Sequence, residues 1–313
     1  MFIEPIARFW SPFKTKFGIP RQAGLVPELK GKIVFESGFR SADAVRGLEG
    51  FDYIWLIWGF SGNKPRSVAE PVEATEPIVP VAEPAEASGA LRQAQRPETP
   101  FQATVRPPRL GGNERIGVFA SRSPFRPNGL GLSSVRIESI EYDAKDETGK
   151  QLGPVINVLG ADLMDGTPIY DIKPYVTYAD SHPDASSGFV DDKEWKPLMV
   201  VFDPSVTSMP DSVTSTSTVT SASSVTDALC EPVPSPVTEP AEVTVQGWNE
   251  ADIETLRKVL AQDPRPRYQN DPDKVYGMIF NDMDVRFKVN EDVLTVVEIK
   301  SPDRKDKQNE QRQ

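Results

Sequence analysis

The densest chemistry in this sequence lies between Arg106 and Ser133, which reads RPPRLGGNERIGVFASRSPFRPNGLGLS. From Arg106 to Arg126 there are five arginines and one glutamate, in a chain whose formal charge is −11. Guanidinium forks suit phosphates, carboxylates and nucleobase edges. Pro107, Pro108, Pro124 and Pro127 stiffen the loops that carry these arginines. Gly111, Gly112, Gly129 and Gly131 allow close backbone approach to a ligand. The competing reading is a solvated charged face with turn glycines.

Three further stretches carry groups of the same kind. Pro20-Arg21-Gln22 follows the first expected strand and offers an arginine fork beside an amide that both donates and accepts. Tyr53–Asn63, YIWLIWGFSGN, is an apolar strand ending in Ser61, Gly62 and Asn63. Asp162–Tyr175, DLMDGTPIYDIKPY, crowds Asp162, Asp165, Asp171 and Lys173 around an Asp165-Gly166 turn signal. Its carboxylates could hold an amine or the hydroxyls of a ligand, or simply form turns.

Other chemistries are excluded or disfavoured. There is no GxGxxG after a strand, no GxxxxGK[ST] loop and no GxSxG elbow. A single cysteine, Cys230, rules out an internal disulfide framework and a cysteine-rich zinc site. A single histidine, His182, rules out a multi-histidine metal centre, and its SHPDASS context reads as surface turn. Asp162 and Asp165 could pair on magnesium, but no phosphate loop accompanies them; no metal is expected.

The elements that must position these residues occupy only part of the chain. Its 313 residues correspond to about two domains. Residues 64–103 are rich in Pro, Glu and Ala and contain a short repeat, VAEPVEA at 68–74 and VAEPAEA at 81–87. Residues 203–240 hold 16 Ser and Thr and no Lys or Arg. Neither stretch has the apolar content to offset the entropy of ordering, so both read as disordered insertions, and Cys230 inside the second as incidental. The two insertions carry −7 of the net charge, so the acidic balance says little about the site. No apolar run approaches the roughly 20 residues of a membrane span, and MFIEPIARFW lacks a signal-peptide pattern. A soluble cytoplasmic protein is expected.

The remainder reads as strands at Ile3–Phe9, Lys32–Phe35, Tyr53–Phe60, Ile116–Ala120, Leu132–Glu141 and Leu152–Leu159. Ser41 to Gly47 reads as one short helix with Ser41 as N-cap and Gly47 as stop. Many short strands with one helix point to a barrel or a sandwich rather than a doubly wound sheet. Towards the C-terminus, Asn249 is an N-cap, and Ile253, Leu256, Val259 and Leu260 form one helical face that must end before Pro264. Strands follow at Val275–Phe280, Val285–Val289 and Val293–Ile299, with hairpin turns at Asn281–Asp282 and Glu291–Asp292.

Several of these motifs resemble one family. PRQ at 20–22, ADAVRGLEGF at 42–51, TVRPPRLGGN at 104–113, GVFASRSPFRPN at 117–128, DGTPIYDIKPY at 165–175 and LAQDPRPRY at 260–268 are similar to those of TrmO (TsaA-like) proteins. The resemblance implies a mainly β fold. An antiparallel β-barrel cofactor domain would take 1–63 and 104–202. A small α+β domain of one helix and a three-stranded meander would take 241–300, and 301–313 would be a frayed tail. It also implies an S-adenosylmethionine-dependent tRNA methyltransferase that acts, as a homodimer, on N6 of threonylcarbamoyl-adenosine beside the anticodon.

Carried over by motif, the cofactor would meet Pro20, Arg21, Gln22, Ser61, Gly62, Arg122, Leu132 and the loop Asp162, Leu163, Asp165, Gly166, Thr167 and Pro168. Arg106, Arg109, Arg126, Asn128 and Lys173 would meet tRNA. Two departures stand out. Ser61 replaces the family's usual His, and Gly129-Leu130 replaces Pro-Ile after RPN. The target nitrogen is a weak nucleophile, so a base or a polarising group should assist. Asp165 or a neighbouring carboxylate is the expected base, with Arg126 on the carbonyl as the alternative. The competing classes are a cofactor-binding module without catalysis and an interaction scaffold built on the insertions.

Overall fold

The structure is a computed structural model that describes residues 3–60, 103–107, 114–191, 196–207, 245, 248–265 and 271–301. The two expected insertions lie outside the described residues except at Ala103 and 203–207, and so does the expected tail apart from Ser301. Ser61, Gly62, Arg109 and Cys230 also lie outside them.

Twelve strands are described: β1 (Ala7–Trp10), β2 (Lys30–Phe35), β3 (Tyr53–Gly59), β4 (Thr104–Val105), β5 (Ile116–Gly117), β6 (Leu130–Lys145), β7 (Gln151–Leu159), β8 (Pro168–Pro174), β9 (Met199–Phe202), β10 (Tyr276–Phe280), β11 (Met283–Asn290) and β12 (Val293–Lys300). The chain divides into two units. The first holds Met1–Ser11, Gln22–Glu194 and Pro266–Tyr268; the second holds Pro12–Arg21, Trp195–Arg265 and Gln269–Gln313.

The first unit is built on a closed barrel in the order β1-β2-β7-β6-β3-β8, antiparallel throughout. Closure pairs every strand on both sides, which removes the free edges of an open sheet. The alternating inward residues fill the interior: Phe9, Ile33, Ile54, Leu56, Ile156, Val158 and Ile169 are almost wholly buried. Phe9 occupies the space a side chain at Gly31 would need, since a Cβ there would lie 2.2 Å from its ring.

Four local outcomes differ from the sequence reading. Strand β8, which is not among the strands expected from sequence, closes the barrel between β1 and β3. The expected strand at Ile116–Ala120 keeps two strand residues and then tightens into a 3₁₀ turn at Val118–Ala120. The first strand is shorter than expected and shifted to Ala7–Trp10. Helix appears at Ala42–Val45, but Ser41 makes no side-chain cap bond; Gly47 ends the segment in the left-handed region at φ 91°.

In the second unit the sheet order is β10-β11-β12-β9. The helix α1 (Glu250–Ala261) starts with a complete capping box between Asn249 and Asp252. It buries Ile253, Leu256, Val259 and Leu260. The β10–β11 hairpin turns on Asn281 and Asp282, both left-handed (φ 46° and 60°), as a type I′ turn requires. To the three expected strands the fold adds β9, parallel to β12, from chain that the sequence reading grouped with the barrel. Parallel pairing needs a long crossover, so no short-range turn signal announces it. Phe17 stacks beside Tyr276 and Phe287, and Phe13 packs on Phe280, which ties the Pro12–Arg21 segment into this unit.

A cluster at one end of the barrel

Strands β3 and β7 end, and β6 and β8 begin, at the same end of the barrel. A β-bulge sets the local geometry. Ile57 pairs with Asp171 and Trp58 with Ile169, so Tyr170 is the extra residue on β8. Its ring lies over Gly59, where an added Cβ would come within 2.8 Å. On its other side Trp58 faces Gly131 across the regular β3–β6 pair.

From there a chain of hydrogen bonds runs outward. The Trp58 indole N–H donates to Ser133 Oγ at 3.0 Å, and both residues are buried. The Ser133 hydroxyl donates to Asp162 Oδ1 at 2.6 Å. Burial pushes the Asp162 carboxyl above the usual aspartate range. Opposing that rise are the Ser133 hydroxyl, the amide N–H groups of Asp162 itself and Ala23, and the positive charge of Arg122. Arg122 in turn donates to Gln22 Oε1 at 2.5 Å. Three separate segments, carrying Ser133, Ala23 and Arg122, therefore act on Asp162.

The loop that follows is strapped to β1. Ser11 N–H donates to Asp165 Oδ1 at 2.9 Å, Gly166 N–H to Phe9 O at 2.8 Å and Phe9 N–H to Thr167 O at 2.9 Å. Gly166 is left-handed at φ 74° and exposed, as the turn after Asp165 demands. Leu163, Thr167 and Pro168 are buried, and the Thr167 backbone is already used, its N–H donating to Met164 O at 3.2 Å and its carbonyl accepting from Phe9. Leu132, by contrast, is 56% exposed on the rim beside Ser133. The expected cofactor residues Gln22, Arg122, Leu132, Asp162 and Asp165 thus lie together or on one loop.

Other expected residues have contacts of their own. Pro20 and Arg21 belong to the second unit. There Arg21 donates to the carbonyls of Asp263 and Arg265 at 3.3 and 3.5 Å and lines a cavity of about 200 Å³ with Lys16, Gln262 and Asp263. Arg126 donates to Ser121 O at 2.6 Å and Val118 O at 3.3 Å, with its guanidinium 5.8 Å from the exposed Phe119 ring. It braces its own loop. Arg106 and Asn128 are exposed. Lys173 pairs with Asp171 at 3.1 Å. It lies five residues along β8 from Pro168, about 17 Å at strand rise, and so at the other end of the barrel.

Two participants, Trp58 and Ser133, were not singled out from sequence. The available signal was a serine on the inward period of β6, two residues before buried Val135. An inward hydroxyl needs a partner. Among the described residues no group of three or more His, Cys, Asp and Glu is placed to hold a metal ion, and no helix is long and apolar enough to cross a membrane.

Comparison with known proteins covers both units. A family profile described as the tRNA-methyltransferase O N-terminal domain matches residues 8–98 and 88–181, and one for the TrmO C-terminal domain matches 237–302. The tRNA (adenine(37)-N6)-methyltransferase of Escherichia coli strain K12 is 32% identical over 290 residues, 92% of this chain and 93% of that protein. A putative S-adenosylmethionine-dependent methyltransferase of Pseudomonas aeruginosa is 30% identical over 310 residues, 96% of this chain and 98% of that protein. The crystal structure of TrmO from Pseudomonas aeruginosa shares the fold at a TM-score of 0.55 and 24% identity, covering 96% of this chain and 97% of that one.

Proposed function

This chain belongs to the tRNA-methyltransferase O family, and from that membership we propose that it methylates N6 of threonylcarbamoyl-adenosine at tRNA position 37, with S-adenosylmethionine as donor. The coarser statement, a tRNA adenine(37)-N6 methyltransferase, follows from the family and its named relatives. The observation that carries the finer reading is the gathering of Gln22, Arg122, Ser133 and Asp162 at one barrel end.

The donor set suits such a cofactor. A half-buried carboxylate accepts from an ammonium or from ribose hydroxyls, and an oriented glutamine amide reads the edge of an adenine. Leu132 adds apolar contact at the rim. When bound, S-adenosylmethionine supplies an electrophilic methyl group on a sulfonium.

The protein's work is alignment and proton management. Gln22, Arg122 and Asp162 hold, and the strapped loop at 162–168 fixes the approach. Asp162 already accepts from Ser133, its own amide and Ala23, which fits it for holding. Asp165 is assigned as the group that takes the proton from N6; the Ser11 amide orients its carboxylate. Exposed Arg106, with Asn128 and Arg126, offers contacts to anticodon-loop phosphates, and Lys173 a more distant one. Pro20, Arg21, Ser61, Gly62 and Arg109 stay in this reading on the strength of their motifs. A homodimer working in the cytoplasm completes it.

The test is direct. Purified protein is incubated with methyl-labelled S-adenosylmethionine and tRNA from a strain lacking its own enzyme, and the nucleosides are identified by mass. N6-methyl-threonylcarbamoyl-adenosine is the expected product. A methyl group on unmodified adenosine, or none, would overturn the substrate assignment.

A further inference from the structure

The line from buried Trp58 and Ser133 to half-buried Asp162 has no packing reason to be polar. All three positions sit where strands β3 and β6 and the β7–β8 loop meet, and apolar residues surround them: Leu56, Val135, Ala161 and Leu163 are buried in the same core. A serine at an inward strand position costs stability unless its hydroxyl is used. Here it is used twice, accepting at 3.0 Å and donating at 2.6 Å. The indole N–H fixes which way the hydroxyl proton points, because Ser133 Oγ can accept from Trp58 only while its own proton is directed away, toward Asp162 Oδ1.

We propose that Trp58 and Ser133 are positioning residues for the methyl-transfer site, a two-step relay that steadies and aims the Asp162 carboxylate. The proposal rests on the cofactor-holding role assigned above to Asp162. The relay fixes one carboxylate oxygen from within the barrel, and the Ala23 amide binds the same group from the loop that carries Gln22. Orientation therefore passes from the sheet to the two loops that carry Asp162 and Gln22.

The surroundings make the relay's effect readable. The charged group that acts on Asp162 is Arg122, from the arginine-rich segment. Strands β3 and β6 present Trp58 and Ser133, which do not titrate in the acid range, and the Gln22–Gly24 loop presents amides. Loss of the Ser133 hydroxyl then leaves burial less opposed. The carboxylate's midpoint moves up by about one pH unit, a tenfold change in the ratio of its ionised to its protonated form at fixed pH.

The experiment follows the Asp162 carboxyl carbon by NMR titration of full-length protein labelled at aspartate, the signal being assigned by its absence in Asp162→Asn. Ser133→Ala is expected to raise the midpoint by about one unit, Ser133→Thr to restore it, and Trp58→Phe to raise it by less than Ser133→Ala does. In parallel, the dissociation constant of S-adenosylmethionine is measured against pH. Its acid-side loss should begin at higher pH in Ser133→Ala and return to the wild-type profile in Ser133→Thr. An unmoved midpoint in both Ser133→Ala and Trp58→Phe, or a loss of affinity equal at every pH, overturns the relay. Wild-type protein without affinity for S-adenosylmethionine overturns the cofactor assignment instead, and the functional half of the proposal with it.

Discussion

Gly131 lies directly against the Trp58 indole: a Cβ at that position would come within 2.4 Å of the ring. The two are register partners across β3 and β6. The only way to seat an indole flat at this barrel end is to leave its partner without a side chain. Gly131→Ala should therefore displace Trp58, break its bond to Ser133 and lower unfolding free energy by about 1–3 kcal/mol, the usual cost of overpacking. Denaturant unfolding monitored by tryptophan fluorescence measures it. Wild-type stability together with an unshifted emission spectrum would show that the ring has room.

Asp162 makes stability depend on pH with a definite sign. Its folded-state value is raised by burial, so the folded protein holds its proton to higher pH than the unfolded chain does. Across the window between the ordinary aspartate value and the raised one, stability falls as pH rises, and above both values the penalty is constant. Asp162→Asn abolishes that slope. The difference in Tm between variant and wild type should shift in the variant's favour from acid toward neutral pH. A difference that stays flat across the window contradicts this.

Asp165 can be separated from its scaffolding role. Asparagine keeps an oxygen for the Ser11 amide but cannot accept a proton. Asp165→Asn should bind S-adenosylmethionine with wild-type affinity while kcat falls about 100-fold or more. Near-normal turnover would remove the residue from the chemistry.

Arg106 is exposed, so its loss should not disturb the barrel. If it meets a phosphate, Arg106→Ala weakens tRNA binding uniformly and lowers the slope of log affinity against log salt by about one. Filter binding between low and moderate salt measures this. An unchanged slope places Arg106 outside the RNA footprint.

In the second unit, Asn249→Ala removes the side-chain half of the capping box, while Asp252 can still accept from the backbone of residue 249. The expected cost is about 1 kcal/mol of stability, read as a lower denaturation midpoint at unchanged slope.

The most local features were legible from sequence. Asn249, the Ile253–Leu260 face and the Asn281-Asp282 turn depend on neighbours within a few residues, and each forms as its pattern predicts. The arginine-rich segment was also visible, although Arg126 proves to brace its own loop through Ser121 and Val118. Strand β8 was hidden by its prolines and aspartate, and β9 by its distant parallel partner.

The sequence by itself determined a mainly β chain interrupted by two long apolar-poor stretches, and its motifs carry a resemblance to TrmO proteins that the family profiles bear out. The tertiary structure decided which residues meet. Trp58 and Ser133 are 75 positions apart, Ser133 and Asp162 are 29 apart, and Gln22 and Arg122 are 100 apart. No periodicity encodes such distances. They follow from barrel closure and from the bulge at Tyr170, which set strand register, and register decides which side chains from remote segments share one end of the core.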